Sequence, residues 1–326
     1  MKQDDQIDPQ QDMATDNSVV WEKNVLEKLV FSAIEEQRKA RRWGVFFKLM
    51  AFAYLSVVLA MVVYPGFEAE MNTDKQHTAV IDVLGIIAEG EAANADAIIK
   101  GIRDAVKDKN TKGIILNINS PGGSAVQSAY VYDEIRRQKT EHPEMLIYAV
   151  VGDMCASGGY YIAAASDKIF VSQASIIGSI GVLMNGFGFT SVLDKLGVER
   201  RLLTAGEHKA MLDPFSPMKE QEAKHMQSLL DQVHQQFISA VKQARGTRLK
   251  ESPEMFSGLV WTGEEGVRLG LADDFGSVDS VSRELFGTEH KLNFTPQERF
   301  IDRLAGKMGT SFAHSITAAF HAFEIQ

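Results

Sequence analysis

A serine followed by two glycines stands between an apolar run and a run of small residues. The segment reads Asp153-Met-Cys-Ala-Ser-Gly-Gly-Tyr-Tyr161 and follows the apolar residues 145–151. The pattern predicts a strand, a tight turn and a helix over residues 157–165, with Ser157 at the corner. Backbone N–H groups at a helix N-terminus favour developing negative charge, which suits a nucleophile. On this segment alone, Ser157 is equally well read as an ordinary helix cap, with glycines that ease a turn.

A second glycine pair lies in Asn119-Ser-Pro-Gly-Gly-Ser124, directly after a predicted strand over residues 113–118. Ligands bind at the carboxyl ends of parallel strands, and paired glycines let the backbone approach a substrate closely. The N–H of Gly122 or Gly123, together with that of Gly158, would form a two-donor oxyanion hole. A phosphate nest is an alternative, but the Gly-Lys-Ser/Thr ending of a P-loop is missing. A plain turn is the other interpretation.

A serine nucleophile needs a base, and the sequence offers few. The eight histidines are His77, His142, His208, His225, His234, His290, His314 and His321. Only His208 is well placed, in the polar segment 204–217, and its neighbour Lys209 is the rival. A lysine acts as a base where a dry site favours its neutral form. Cys155 is an alternative nucleophile, but two residues before the turn it is expected to be a small packed residue.

Composition limits the function classes. With 326 residues, 45% hydrophobic and 24% charged, the chain has enough apolar mass for a sizeable core. The net charge of −9 argues against a nucleic-acid partner. The single cysteine excludes an internal disulfide and leaves the compartment open.

The sequence pattern of the N-terminal part predicts a membrane anchor. Residues 1–37 are expected to be a disordered cytoplasmic segment, because residues 1–17 are rich in Gln, Asp and Asn. From Val19 to Arg42 the pattern becomes helical and is basic at its end. Residues 38–64 form a basic flank and a transmembrane helix of about the 20 residues that cross a bilayer, and Lys48 can snorkel. The cations Arg38, Lys39, Arg41 and Arg42 precede the span, which places the N-terminus in the cytoplasm and the rest outside. Residues 65–77 are a linker.

From Thr78, strands alternate with helices, which predicts an α/β domain with a mostly parallel sheet and crossover helices. Predicted strands cover residues 79–83, 113–118, 145–151, 168–172, 180–184 and 198–203. Predicted helices cover residues 96–106, 126–137, 157–165, 190–196, 221–245, 262–269 and 277–285. The domain extends to residue 289. The tail 290–326 is amphipathic and is a partner helix, a membrane-surface helix or the last core element.

Four separated motifs together resemble a known family. They are Asn119-Ser-Pro-Gly-Gly-Ser124, Met154-Cys-Ala-Ser-Gly-Gly-Tyr-Tyr-Ile162, Ile177-Gly-Ser-Ile-Gly-Val182 and Thr204-Ala-Gly-Glu-His-Lys209. In this order and spacing they resemble signal peptide peptidase A, the membrane-anchored serine–lysine proteases, in its short, single-repeat form. The resemblance runs from about Thr78 to Phe286 and implies the Clp protease/crotonase-like fold.

The resemblance also implies roles for individual residues. Ser157 would be the nucleophile and Lys209 the general base, with Ser179 hydrogen-bonded to the lysine amine. The oxyanion hole would be lined by Gly122, Gly123 and Gly158. His208, directly before the lysine, is not expected from the family, and its role stays open.

For the whole protein, the resemblance implies a ring-shaped homo-oligomer, an octamer, in which adjacent protomers supply the serine and the lysine of one site. The substrates would be hydrophobic peptides, above all signal peptides left in the bacterial inner membrane, with the catalytic domain on the periplasmic side. The family uses no metal and no cofactor. Two other readings remain: an acyl-CoA enzyme of the same fold, and a non-catalytic membrane scaffold.

Overall fold

The computed structural model describes residues 9–63 and 75–296, which belong to two compact units. The described part of the first unit is one long helix, α1, from Pro9 to Val63. Within it, the stretch Ile34–Leu59 is long and apolar enough to cross a membrane by length and composition. This stretch includes most of the span predicted from the sequence.

Helix α1 begins at Pro9, inside the segment expected to be disordered, and it includes the residues 19–42 for which the sequence pattern is helical. A proline at the first helical position has the helical φ angle preset, and residues 10–43 contain neither glycine nor proline to interrupt the helix. Residues 1–8, most of the predicted linker and the tail beyond residue 296 lie outside the described residues.

The second unit alternates strands and helices along the chain. Its strands are β1 His77–Ile87, β2 Thr111–Gly123, β3 Ile147–Ala156, β4 Lys168–Val171, β5 Ile176–Gly178, β6 Val260–Thr262, β7 Asp274–Phe275 and β8 Lys291–Asn293. Its helices are α2 Ala95–Lys107, α3 Ala125–Glu141, α4 Gly158–Ala164, α5 Thr190–Leu196, α6 Glu220–Arg245, α7 Gly263–Leu269 and α8 Val278–Leu285.

These strands form one sheet in the order β6-β5-β3-β2-β1-β8, with β4 paired to β3 and β7 paired to β4. Every pairing is parallel except that of β5 with β6. Parallel neighbours need crossover connections, which α2 and α3 supply between β1, β2 and β3. The predicted α/β fold with a mostly parallel sheet is confirmed.

Side chains alternate between two cores along the central strands, as the two-residue period of a strand requires. On β2, Ile114, Leu116 and Ile118 enter the larger core, together with residues of α2, α3, α4 and α6. Ile115 points to the other face and joins the smaller core, which also contains Val281 of α8. Both faces of the sheet are therefore covered, as is usual for parallel strands.

The structure corrects two predicted strands and extends two others. Residues 180–184 and 198–203 form no strand, and the short strand β5 lies just before the first of these segments. Neither segment has a sheet neighbour, and a strand needs a partner for its backbone N–H and C=O groups. Strands β2 and β3 continue beyond their predicted ends to Gly123 and Ala156. Both glycine-rich motifs therefore begin inside the sheet.

A buried ion pair fixes the end of α6. The Arg245 side chain is fully buried and donates to Asp273 Oδ2 at 2.7 Å and to the Gly270 carbonyl at 2.8 Å. Burial by itself would raise the pKa of Asp273, but the hydrogen bonds and charge of Arg245 outweigh it and lower that pKa. The pair therefore adds stability above the unfolded-state pKa of about 3.9, and loses it as the pH falls towards the folded-state pKa.

We expect Asp273→Asn to lower the free energy of unfolding by about 3 kcal/mol at neutral pH, since it leaves a buried guanidinium without its counter-charge. Urea unfolding of the full chain, followed by circular dichroism at pH 7 and pH 3.5, measures this. The difference between variant and wild type should shrink at the lower pH. An equal loss at both pH values would contradict the assigned charge pairing.

Candidate active site

Ser157 lies between β3 and α4 in a backbone conformation that is rare for a residue with a side chain. Its φ is 51° and its ψ is −122°, and its side chain makes no cap hydrogen bond to α4. Its backbone N–H donates to the Gly178 carbonyl at 2.9 Å, which holds the corner against β5. Such conformations cost about 1–3 kcal/mol and cluster at functional sites. The hydroxyl of Ser157 is therefore not used as a helix cap.

Glycines surround Ser157 at contact distance. A Cβ added at Gly122 would lie 2.7 Å from the Ser157 Cβ and 2.7 Å from the Gly158 nitrogen. A Cβ added at Gly158 would lie 3.3 Å from the Gly123 nitrogen. Gly122 and Gly123 have φ values of 100° and 151°, which favour glycine. The two glycine motifs of the sequence thus meet at one edge of the sheet, as their positions after neighbouring strands predict.

The hydrogen bonds of Ser120 separate the roles of the glycines. Its Oγ donates to the Gly85 carbonyl at 2.6 Å and accepts the N–H of Gly122 at 3.1 Å. The N–H of Gly122 is thereby used inside the loop. Gly158 is the first residue of α4, where a backbone N–H has no acceptor within its helix. The N–H of Gly158 is therefore better placed to bind an anion than that of Gly122, and Gly122 is the close-contact residue.

Ser179 directly follows β5, the strand that pairs with the end of β3 before Ser157. Ala156 pairs with Gly178 in the parallel register of β3 and β5, so Ser157 and Ser179 each follow a member of this pair. Ser179 also has a positive φ, 53°, and its N–H donates to the Leu259 carbonyl at 2.7 Å. Ser157 and Ser179 thus follow the ends of adjacent strands, and both are half-buried and have a positive φ.

Ser157, Ser179, Gly123 and Gly158 line one cavity of about 880 Å³. Most of its remaining lining is apolar and comes from α3, α4, α6 and the segment after β5: Val126, Ala129, Tyr130, Tyr161, Val182, Leu183, Val233 and Phe237. Asp133 is the single charged side chain among the described residues that line it. The cavity is therefore suited to apolar side chains next to a nucleophile.

The sequence reasoning did not identify the α3 wall of this cavity. Val126, Ala129, Tyr130 and Asp133 have the i, i+3, i+4, i+7 spacing of one helix face, directly after the first glycine motif. That spacing indicates one exposed face, but it does not tell whether the face lines a site or meets solvent. The spacing was visible in the sequence, but only the position of α3 beside the strand ends of the sheet shows that this face lines the cavity.

Lys209 does not lie at this cavity within a single chain. It sits in a turn over residues 205–212, its side chain is exposed, and it is absent from the lining of the Ser157 cavity. Among the residues that the structure describes, no lysine, arginine or histidine lines that cavity. One chain thus assembles the hydroxyl and the backbone donors, but it does not bring the lysine to them.

Cys155 is a structural residue. It is fully buried in the larger core, and burial raises the pKa of its thiol. A thiol held in its neutral form is a poor nucleophile. We expect Cys155→Ala to keep wild-type peptide hydrolysis and to lower stability by about 1 kcal/mol, since it removes one packed atom. Loss of hydrolysis in a variant with unchanged thermal unfolding would show that the sulfur takes part in the reaction.

Two family models match this unit. The model of peptidase family S49 matches residues 139–291, which include Ser157, Ser179 and Lys209. The model of Clp protease matches residues 77–177, the sheet that carries both glycine motifs. Together the two matches cover the unit from its first strand to the start of its last.

Three relatives illustrate the similarity. A Brucella abortus protein named as the Na(+)/H(+) antiporter NhaA is 42% identical over 198 residues, which is 61% of this chain and 27% of that protein. An Enterococcus faecium protein named for signal peptide peptidase SppA is 32% identical over 227 residues, 66% of this chain and 65% of its own. A protease-named protein of Synechocystis sp. is 30% identical over 210 residues, 64% of this chain and 73% of its own.

The chain covers only about a quarter of the Brucella protein and just under two thirds of the Enterococcus protein. The residues that the two family models match contain the strand ends, the glycine motifs and Ser157. Together with the parallel fold and the protease-named relatives, these matches show that the chain belongs to peptidase family S49, the serine peptidase family of signal peptide peptidase SppA.

Proposed function

We propose that the chain is a membrane-anchored serine endopeptidase in which Ser157 is the nucleophile and Lys209 of a neighbouring copy is the base. The observation that carries this proposal is the uncapped hydroxyl of Ser157, held at a positive φ beside the N–H groups of Gly123 and Gly158. A hydroxyl and two backbone donors on one side of a cavity are what acyl transfer requires.

In the proposed reaction, the neutral amine of Lys209 accepts the proton of the Ser157 hydroxyl as Oγ attacks the peptide carbonyl carbon. The carbonyl oxygen becomes an anion and accepts hydrogen bonds from the N–H groups of Gly123 and Gly158. The C–N bond then breaks, and the lysine ammonium gives its proton to the leaving amine. Water, deprotonated by the same amine, hydrolyses the acyl-enzyme and restores Ser157. Ser179, beside Ser157, orients the amine.

The surface around Lys209 supports a shared site. Residues 183–218, here called the apolar arm, contain Lys209 and expose an unusual number of large apolar side chains. They are Leu183, Met184, Phe187, Phe189, Val192, Leu196, Val198, Leu202, Leu203, Phe215 and Met218. Monomeric proteins rarely expose apolar patches of this extent, and a second copy of the chain is the partner that would cover them. In the proposed ring, for which the family resemblance implies eight members, this contact is repeated from copy to copy until the ring closes.

The lining of the cavity and the apolar N-terminal helix indicate which substrates to propose. An apolar cavity beside Ser157 favours apolar side chains next to the scissile bond, and the stretch Ile34–Leu59 would hold the enzyme at the bilayer where such peptides emerge. The cations before the span support a catalytic unit on the periplasmic face of the inner membrane, by the positive-inside rule. Signal peptides remaining after secretion combine these properties. This function needs neither metal nor cofactor.

Hydrolysis of a synthetic signal peptide by the detergent-solubilised full chain tests the function, with products identified by mass spectrometry. A fluorophosphonate probe should label Ser157 in the same preparation. Neither cleavage nor labelling would favour the non-catalytic scaffold. Hydrolysis of acyl-CoA thioesters without peptide cleavage would favour the acyl-CoA enzyme.

A further inference from the structure

A buried carboxylate lies next to the turn that carries Lys209. Glu222, in the first turn of α6, has a side chain only 6% exposed. Its Oε1 accepts a hydrogen bond from Lys219 Nζ at 3.2 Å and lies 3.7 Å from His208 Nδ1. A buried carboxylate is stable only when it is paired or hydrogen-bonded, and the N-terminal end of a helix favours it further. The two side chains that pair with this carboxylate in the structure, Lys219 and His208, are basic.

The contact with His208 joins the Lys209 turn to α6. Within the turn, hydrogen bonds from Lys209 N to the Gly206 carbonyl and from Met211 N to the His208 carbonyl are local. Helix α6 is held in place by the larger core, which Phe237 and Val241 enter further along the helix. His208 immediately precedes Lys209, so its 3.7 Å contact with Glu222 is a side-chain link from the turn to a buried position on this helix.

We propose that Glu222, acting through His208, is a positioning residue for the amine of Lys209. This inference rests on the proposed function, in which Lys209 reaches the Ser157 of a neighbouring copy. A base on an exposed turn must still arrive within hydrogen-bond distance of the hydroxyl, and a displacement of about 1 Å can cost about a hundredfold in rate. The pair restricts the direction in which the turn presents the lysine.

A purely structural role for Glu222 is the competing explanation. In that case, its bond to Lys219 closes the first turn of α6, and His208 is only a neighbour. The two roles differ in what they change. Loss of positioning lowers the rate of the proton-transfer step and leaves assembly, folding and KM intact, whereas loss of structure changes the assembly or the unfolding temperature.

The test measures kcat and KM for a signal peptide, and the rate at which a fluorophosphonate labels Ser157, in the full chain. The variants are Glu222→Gln, His208→Gln and both together. Glu220→Gln is the matched control, because Glu220 lies in the same helical turn but is exposed and pairs with Lys224. Mass photometry and thermal unfolding report assembly and folding. A second set places Glu222→Gln in a Lys209→Ala background.

We expect Glu222→Gln and His208→Gln each to lower kcat and the labelling rate about tenfold with KM unchanged, and the double variant to be no worse than either. In the Lys209→Ala background, Glu222→Gln should add no further loss of labelling. Wild-type kcat in Glu222→Gln, additive losses, or an equal loss without Lys209 would each overturn the positioning role. Full activity of Lys209→Ala itself would instead refute the proposed function.

Discussion

Ser157→Ala is expected to lower kcat/KM for a signal peptide by about 10⁴-fold or more, and Lys209→Ala by a similar factor. Loss of the nucleophile or base of a serine hydrolase typically removes this much, since the two act as one unit. The structure gives the physical reason for Ser157: its hydroxyl makes no cap hydrogen bond, and the residue lies at a strained corner beside Gly122 and Gly158. Peptide cleavage by purified variants, quantified by mass spectrometry, measures the effect.

The matched controls separate chemistry from folding. Ser157→Ala removes one oxygen at a half-buried position, so assembly and thermal unfolding should stay at wild-type values. Lys195→Ala removes a cation from α5, in the apolar arm, without touching the proposed dyad, and it should keep hydrolysis. If Ser157→Ala cleaves peptide at the wild-type rate, the hydroxyl is not the nucleophile.

Gly122→Ala is expected to lower kcat by about 10²- to 10³-fold, the range seen when an oxyanion donor is lost. The added methyl group would meet the Ser157 Cβ and the Gly158 nitrogen, each at 2.7 Å. Contacts this short force the nucleophile or the donor to move. The residue would also hold an L side chain at a φ of 100°. Single-turnover hydrolysis is the measurement, because it isolates acyl transfer from product release.

Gly152→Ala is the matched control, because Gly152 lies in β3, the strand that precedes Ser157. Its added Cβ would meet its nearest neighbour, the Cβ of Asn119, at an ordinary 3.4 Å. It should keep single-turnover rates within about a factor of three of wild type, as most mild surface changes do. Wild-type hydrolysis by a folded Gly122→Ala protein would show that the close approach of the two glycine motifs is not needed for catalysis.

The parts of the fold that depend on local pattern could be predicted from the sequence. Strands β1 to β4 and helices α2 to α6 lie within a few residues of their predicted positions, because buried parallel strands and amphipathic helices have distinct apolar periods. The positive φ of Ser157 was not predictable, since serine gives no sign of it. The corner follows from the hydrogen bond to Gly178 on a strand that lies later in the chain.

The predicted strand over residues 198–203 shows where sequence reasoning fails. Val198, Leu202 and Leu203 are its apolar residues, and in the structure all three are exposed in the apolar arm. Apolar side chains indicate burial but not the surface against which they are buried. The same limit applies to Lys209, because neither its sequence context nor the fold of one chain tells which Ser157 it serves.

Subunit complementation tests the central claim most directly. Full-length Ser157→Ala and Lys209→Ala chains with different tags are co-expressed, and mixed assemblies are isolated by both tags in succession. If the serine and the lysine of one site come from adjacent protomers, random mixing leaves about a quarter of the sites complete, and peptide hydrolysis returns to about a quarter of wild type. Mixed assemblies as inactive as each variant alone would contradict a site shared between protomers.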